Sequence, residues 1–202
     1  IMIIYIVRHE DRTQDATMFS PLTKSGLKNS NNLIKVIDDL NINFIYSSPY
    51  IRTLQTIYPF SEKSKLKINI DYGLSEIQHP DLIPPNSYKV ALPKYLAEKF
   101  NYNENYLSTI KPTEYNFPEK SKDLNKRVKT IMKKIFNNHK DSKDSIIIST
   151  HQGICNTILK IIEKTGKTKL KNITNKYKYP KGKITKIFDT DKWVFKPINW
   201  EY

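Results

Sequence analysis

Cysteine is almost absent from this sequence: Cys155 stands alone among 202 residues. A single thiol cannot close an intramolecular disulfide, so stability has to come from a packed core, and a reducing, cytoplasmic setting is expected. Long apolar runs are missing as well. None approaches the ~18 residues that a bilayer-spanning helix needs, and the opening apolar run lacks the basic leader and small-residue cleavage site of a signal peptide. There is no internal repeat and no low-complexity segment. Acidic residues are in short supply: 20 Asp and Glu face 34 Lys and Arg, for a net charge of +14. Such a surplus attracts polyanions and small anions alike. The lysines are spread along the whole chain rather than gathered into a stripe, so a nucleic-acid partner is not the expectation.

What is present is enough for one domain, residues 1–202, with a core that needs no staples. Ile3-Ile4-Tyr5-Ile6-Val7 is a run of β-branched and aromatic residues, the pattern of a fully buried strand. It stops at Arg8-His9. Polar residues follow, with Thr23 placed to cap a helix whose apolar Leu27, Leu33, Ile34, Ile37 and Leu40 share a face. Asn43–Tyr46 suggests a short strand, broken by Ser47-Ser48-Pro49 before a helix to about Tyr58. Lys65–Ile70 alternates as a half-buried strand.

Residues 73–118 differ in character. They carry six prolines and many tyrosines, with one helix expected around Lys94–Phe100. We read them as a cap inserted over the sheet end. Glu119 to about Asn138 is helical. Asp144–Thr150 is a second buried strand, and it too ends at a histidine, His151. A helix should run from Gln152 to Lys164 and stop near Gly166, and Lys183–Phe188 with Trp193–Pro197 should form a terminal hairpin.

Strands alternating with helices imply an α/β fold, a mostly parallel central sheet with helices on both faces. Ligands in such sheets bind outside the carboxyl ends of the strands. Taken alone, Arg8-His9 is equally well a strand followed by an ordinary charged loop. With Thr150-His151 ending a second buried strand, the two histidines can meet at one crevice although far apart in sequence. A pair of histidines could also hold a metal, but an adjacent arginine repels a cation, so no metal and no cofactor are expected.

Four blocks carry a resemblance. Val-Arg-His-Glu-Asp-Arg at residues 7–12 is similar to an Arg-His-Gly signature. Ser20–Gly26 contains Pro-Leu-Thr-x-x-Gly. Ser47–Thr56 places Arg52 on a second arginine, and Ser149–Gly153 places His151 on a second histidine. In order and spacing these resemble the histidine phosphatase superfamily, which includes the phosphoglycerate mutases and histidine acid phosphatases. Leu74-Ser75-Glu76 resembles the family's Leu-x-Glu. The resemblance implies a metal-independent phosphomonoesterase in which His9 is phosphorylated. Arg8 and Arg52 would clamp the phosphate, His151, if protonated, would donate to it, and Glu76 would pass the proton. Without that match, Glu76 is an ordinary loop carboxylate.

Two departures qualify the resemblance. Glu10 stands where the family has Gly, so its carboxylate should turn away from the phosphate or pair with an arginine. Asp11-Arg12 is similar to the branch of the suppressor-of-T-cell-signalling phosphatases, which makes Arg12 a third clamp. The mutases' Trp-Asn is not matched between Arg12 and Ser20, and their Gly-Glu-Ser survives only as Pro118-Glu119-Lys120. A phosphatase is therefore expected over a mutase-like phosphotransferase or a weakly active scaffold. Its substrate would be a phosphorylated small molecule or a phosphopeptide. His79 and His139 are expected at the surface, and Cys155 in the core.

Overall fold

The computed structural model describes residues 1–165 and 178–200. The expected stop near Gly166 falls outside them. The sheet is built on β1 (Met2–Arg8), β2 (Phe44–Ser47), β3 (Ile68–Ile70), β4 (Ser145–Thr150), β5 (Ile184–Thr190) and β6 (Lys192–Pro197), in the order β3-β2-β4-β1-β5-β6. β3, β2, β4 and β1 run parallel, and the hairpin β5–β6 is added antiparallel to β1. The helices are α1 (Lys24–Asp38), α2 (Ile51–Ser64), α3 (Lys94–Ala97), α4 (Ser121–His139) and α5 (Gln152–Lys164). The α/β fold with helices on both faces is thus as expected.

Side chains of a strand alternate between faces, and here both faces are apolar. Ile4 and Ile6 of β1 join Ile146 and Ile148 of β4 against α4 and α5. Tyr5, Val7 and Ile147 point the other way, against α1 and α2. That is why the strands are continuous apolar runs rather than alternating ones. Thr23 caps α1 as expected, its Oγ1 accepting the Gly26 N–H at 3.1 Å.

The cap residues 73–118 contain α3, short 3₁₀ turns and loops. Their anchor is Asp71, fully buried just after β3. It accepts hydrogen bonds from the Gly73 N–H (2.7 Å), the Tyr106 hydroxyl (2.6 Å), and the Thr109 N–H and hydroxyl (2.9 and 2.7 Å). Ile83 of the cap packs on Met18 and Tyr50, beside a stacked Tyr88–Phe117 pair.

Two expectations need correction. α2 runs past Tyr58 and through Pro59 to Ser64, because Phe60 and Ser61 are buried and tertiary packing outweighs the missing proline N–H. His139 is not at the surface. It is 5 % exposed, its Nε2 2.9 Å from the Tyr46 hydroxyl and its Nδ1 2.7 Å from Asp144.

Candidate active site

The helix after β1 packs on one face of the sheet and the helix after β4 on the other. A crevice therefore opens between the carboxyl ends of these two neighbouring strands. Their parallel register pairs Arg8 with Thr150, and the ladder continues one residue further, the His9 N–H donating to the Thr150 carbonyl at 2.9 Å. Strand pairing alone thus sets His9 beside His151. Their rings meet edge-on with centroids 5.4 Å apart.

His9 is 3 % exposed and its Nδ1 lies 2.7 Å from the Glu10 carbonyl. A carbonyl can only accept, so Nδ1 carries the proton and Nε2 keeps its lone pair. Burial, then the charge of Arg52, hold the His9 pKa well below its ordinary value against the opposing Glu10 carbonyl, with Arg8 and Arg12 adding to the depression. The ring is therefore held in its neutral form, with Nε2 unprotonated.

Arg52 comes from the first turn of α2, after the break at Ser48-Pro49. It is 1 % exposed. One terminal nitrogen donates to the Thr17 carbonyl at 2.7 Å, and its guanidinium sits 4.7 Å from the centre of the Tyr50 ring. The His151 ring is 4.7 Å from that same Tyr50 ring. Arg52 and His151 thus pack against the same ring, and the Arg52 charge acts on His151. Arg8 donates to the Tyr179 carbonyl at 2.6 Å.

His151 is fully buried, and its Nε2 meets Ser48 Oγ at 2.8 Å. Ser48 Oγ also accepts the Tyr50 N–H at 3.3 Å. With Ser48 donating to Nε2, the ring proton of His151 sits on Nδ1. Burial first, then Arg52 and His9, push the His151 pKa well below its usual value. It is neutral here, rather than the protonated donor considered above, and still has one N–H to give.

Three buried side-chain nitrogens have no hydrogen-bond partner among the described residues: Arg8 Nε, Arg52 Nε and His151 Nδ1. Unpaired buried donors are costly and uncommon. These three belong to residues near His9, and donors there suit a ligand rich in acceptor oxygens.

Glu76 faces the same space. Its Oε2 is 3.9 Å from His151 Nδ1, and its Oε1 accepts the Ile77 N–H at 2.9 Å. Burial raises its pKa, opposed by that N–H and by Arg52, Arg127 and Arg8. The carboxyl group can approach because position 153 is glycine: a Cβ there would lie 2.6 Å from Glu76 Oε1.

Glu10 turns from the arginines rather than pairing with one. Its carboxylate takes a hydrogen bond of 3.4 Å from Asn29 on α1 and packs on Gly182, whose φ of +67° and missing Cβ leave room for it. The charged groups it feels are Lys183 and Asp11. Arg12 donates to the Thr13 carbonyl at 2.6 Å, and its charge reaches Arg8, His9 and Arg52. His79 lies at the surface near Asp81, and Cys155 is buried in the core, both as expected.

Ser48, Tyr50 and Arg127 were not singled out from the sequence. Ser48 and Tyr50 lie inside a matched block. For Arg127 one signal was available: the chain has only 4 arginines against 30 lysines. Where lysine serves every general purpose, an arginine marks a need for its planar fork of donors.

A family model described as the histidine phosphatase superfamily (branch 1) matches residues 4–201. The chain belongs to that superfamily. A search of curated proteins found no significant match. Among solved structures, it is similar to the ecdysone phosphate phosphatase of Bombix mori in complex with tungstate, with a TM-score of 0.72, 14 % identity, and 96 % of this chain and 92 % of that one covered. It is also similar to a mycobacterial glucosyl-3-phosphoglycerate phosphatase complexed with VO3 (TM-score 0.69, 16 % identity, 98 % and 99 % covered). A third is a phosphoserine phosphatase mutant from Entamoeba histolytica in complex with phosphoserine (TM-score 0.62, 17 % identity, 98 % of each chain covered). At these identities the likeness is one of fold. No helix among the described residues is long and apolar enough to cross a membrane.

Proposed function

We propose that the chain is a phosphomonoesterase that works without a metal, through a phosphohistidine on His9. The observation that carries this is the three buried nitrogens without a hydrogen-bond partner, on Arg8, Arg52 and His151, near a histidine whose Nε2 lone pair is free. In the first step Nε2 attacks phosphorus and the bond to the leaving oxygen breaks. The Glu76 carboxyl proton passes to that oxygen, giving an alcohol. Arg8, Arg52 and His151 hold the equatorial oxygens, where charge accumulates. In the second step water attacks phosphorus, the Glu76 carboxylate takes its proton, and the N–P bond breaks to release orthophosphate. The raised proton affinity of Glu76 and the lowered one of His9 suit these starting states. The phosphatases named above for three structural neighbours support hydrolysis as the outcome.

The test is a panel of phosphorylated sugars, nucleotides, amino acids and phosphotyrosine peptides, run with a chelator. Turnover that survives the chelator and releases orthophosphate is expected. Complete inhibition by the chelator, or transfer only to a second substrate hydroxyl, would overturn the proposal.

Arg12 serves as an outer clamp in this scheme. Its fixed contact is with its own neighbour, Thr13, while its field reaches the buried arginines and His9. Arg12→Ala should lower kcat/KM on an aryl phosphate by ~10- to 1000-fold, the loss of one charge-assisted contact. Arg12→Lys should restore part of it. Steady-state kinetics within twofold of wild type would place Arg12 outside the site.

A further inference from the structure

Arg127 lies on α4, away from both histidine-bearing strands, yet its hydrogen bonds converge on the turn that carries Glu76. Nε and one terminal nitrogen pair with the two oxygens of Glu119 at 2.8 and 2.7 Å. The other terminal nitrogen donates to the carbonyls of Gly73 (2.9 Å) and Ser75 (2.8 Å). Glu119 grips the far side of the same turn: it accepts the Gln78 N–H at 3.0 Å and gives its own N–H to the Gln78 carbonyl at 2.6 Å. The Gln78 side chain closes back on the Glu76 carbonyl at 2.7 Å. Glu76 is thus held from residues 73 and 75 on one side and from residue 78 on the other. Both partners are buried, Arg127 and Glu119 each 7 % exposed.

We propose that Arg127 and Glu119 are positioning residues for Glu76: their buried pair fixes the turn that delivers the carboxyl group to the leaving oxygen. This rests on the role given to Glu76 above. Arg127 also acts through its charge. The groups that surround Glu76 are Arg8 from the end of β1, Tyr50 just before α2 and Arg52 in its first turn, His151 from the end of β4 (with His9 against it), Cys155 on α5 and Arg127 on α4. Burial pulls the Arg127 pKa down, but its hydrogen bond and charge pairing with Glu119 outweigh this and raise it. It is a permanent cation, partly neutralised by Glu119.

The two partners therefore have opposite electrostatic effects on Glu76, which a merely structural brace would not produce. In Arg127→Met the carboxyl group should hold its proton to higher pH. In Glu119→Gln the cation is left uncompensated, and the proton should be lost at lower pH. Carbon-13 NMR of the labelled Glu76 carboxyl carbon reads both shifts directly and needs no turnover. Kinetics give the positional part. Protonation of the leaving oxygen matters for an alkyl phosphate and little for 4-nitrophenyl phosphate. Arg127→Met should slow the phosphorylation step, read by single-turnover rapid quench, by about 10- to 100-fold for the alkyl ester and by no more than about threefold for 4-nitrophenyl phosphate. The second step, in which Glu76 takes the proton of water, is common to both esters.

If the single variant fails to fold, the double variant Glu119→Met with Arg127→Met replaces the ion pair by apolar volume, a change proteins often tolerate. It should show the same split between the two esters. Equal loss on both esters, or Glu76 titrations that do not move in opposite directions, would overturn the positioning role. A wild-type protein that hydrolyses neither ester would overturn the phosphatase reading instead, while the NMR titrations would still decide this one.

Discussion

His9→Ala is expected to lower kcat/KM on any phosphomonoester by about 10⁵- to 10⁶-fold, the scale seen when a covalent nucleophile is removed. The other groups remain, so phosphate binding should survive while turnover does not. The fold should survive as well. The hydrogen bond lost is one from Nδ1 to the Glu10 carbonyl, a change worth on the order of 1 kcal/mol. Rapid quenching of the wild type with substrate, followed by mass spectrometry, should find acid-labile phosphate on residue 9 and none in the variant. Phosphate on another residue, or an alanine variant with even a tenth of normal activity, would remove His9 from the reaction.

Arg52→Met should separate activity from stability. Arg52 is nearly the most enclosed cation that this fold could contain: 1 % exposed, with Nε unpaired. Burial lowers its pKa to about 10, with Glu76 and Tyr50 opposing. A base whose folded pKa is depressed binds protons less well when folded, so its charge destabilises the native state below that pKa and the penalty fades as pH rises through it. At 1.4 kcal/mol per pKa unit the burden at neutral pH is on the order of 3 kcal/mol. Methionine fills similar volume without the charge. Activity on an aryl phosphate should fall by about 10²- to 10³-fold, the loss of one preorganised donor, while the midpoint of thermal unfolding at pH 7 rises or holds. Bound phosphate should stabilise the wild type and not the variant. A variant that is both active and less stable would show that Arg52 is a structural cation.

The parts of this molecule legible in the sequence are those written in contiguous residues. The buried runs Ile3–Val7 and Ile146–Ile148 announce strands, and their ends announce His9 and His151. Thr23 announces its helix. What escaped reading depends on partners distant along the chain. His139 sits among lysines and looks solvated, but its hydroxyl partner Tyr46 is 93 residues away. Pro59 looked like a stop because nothing local reveals that Phe60 and Ser61 have a core to enter. Glu10 could not be placed without knowing that Asn29 and Gly182 would receive it. Arg127 occupied a helix crowded with lysines, and its role exists only through the turn at Gly73–Gln78.

The placement of β1 also has a consequence for how the chain is made. β1 is paired on one side with β4 and on the other with β5, both far later in the chain. Neither neighbour exists until residues 145–150 and 184–190 have been translated. At ~5–20 residues per second, the wait for β4 alone is roughly seven to thirty seconds. Throughout it, an apolar strand with two open edges has emerged from the ribosome with no sheet to join, the condition that favours aggregation. Newly made chains should therefore depend on ribosome-associated chaperones, and crosslinks from the nascent chain should concentrate on residues 2–8 until β4 has appeared.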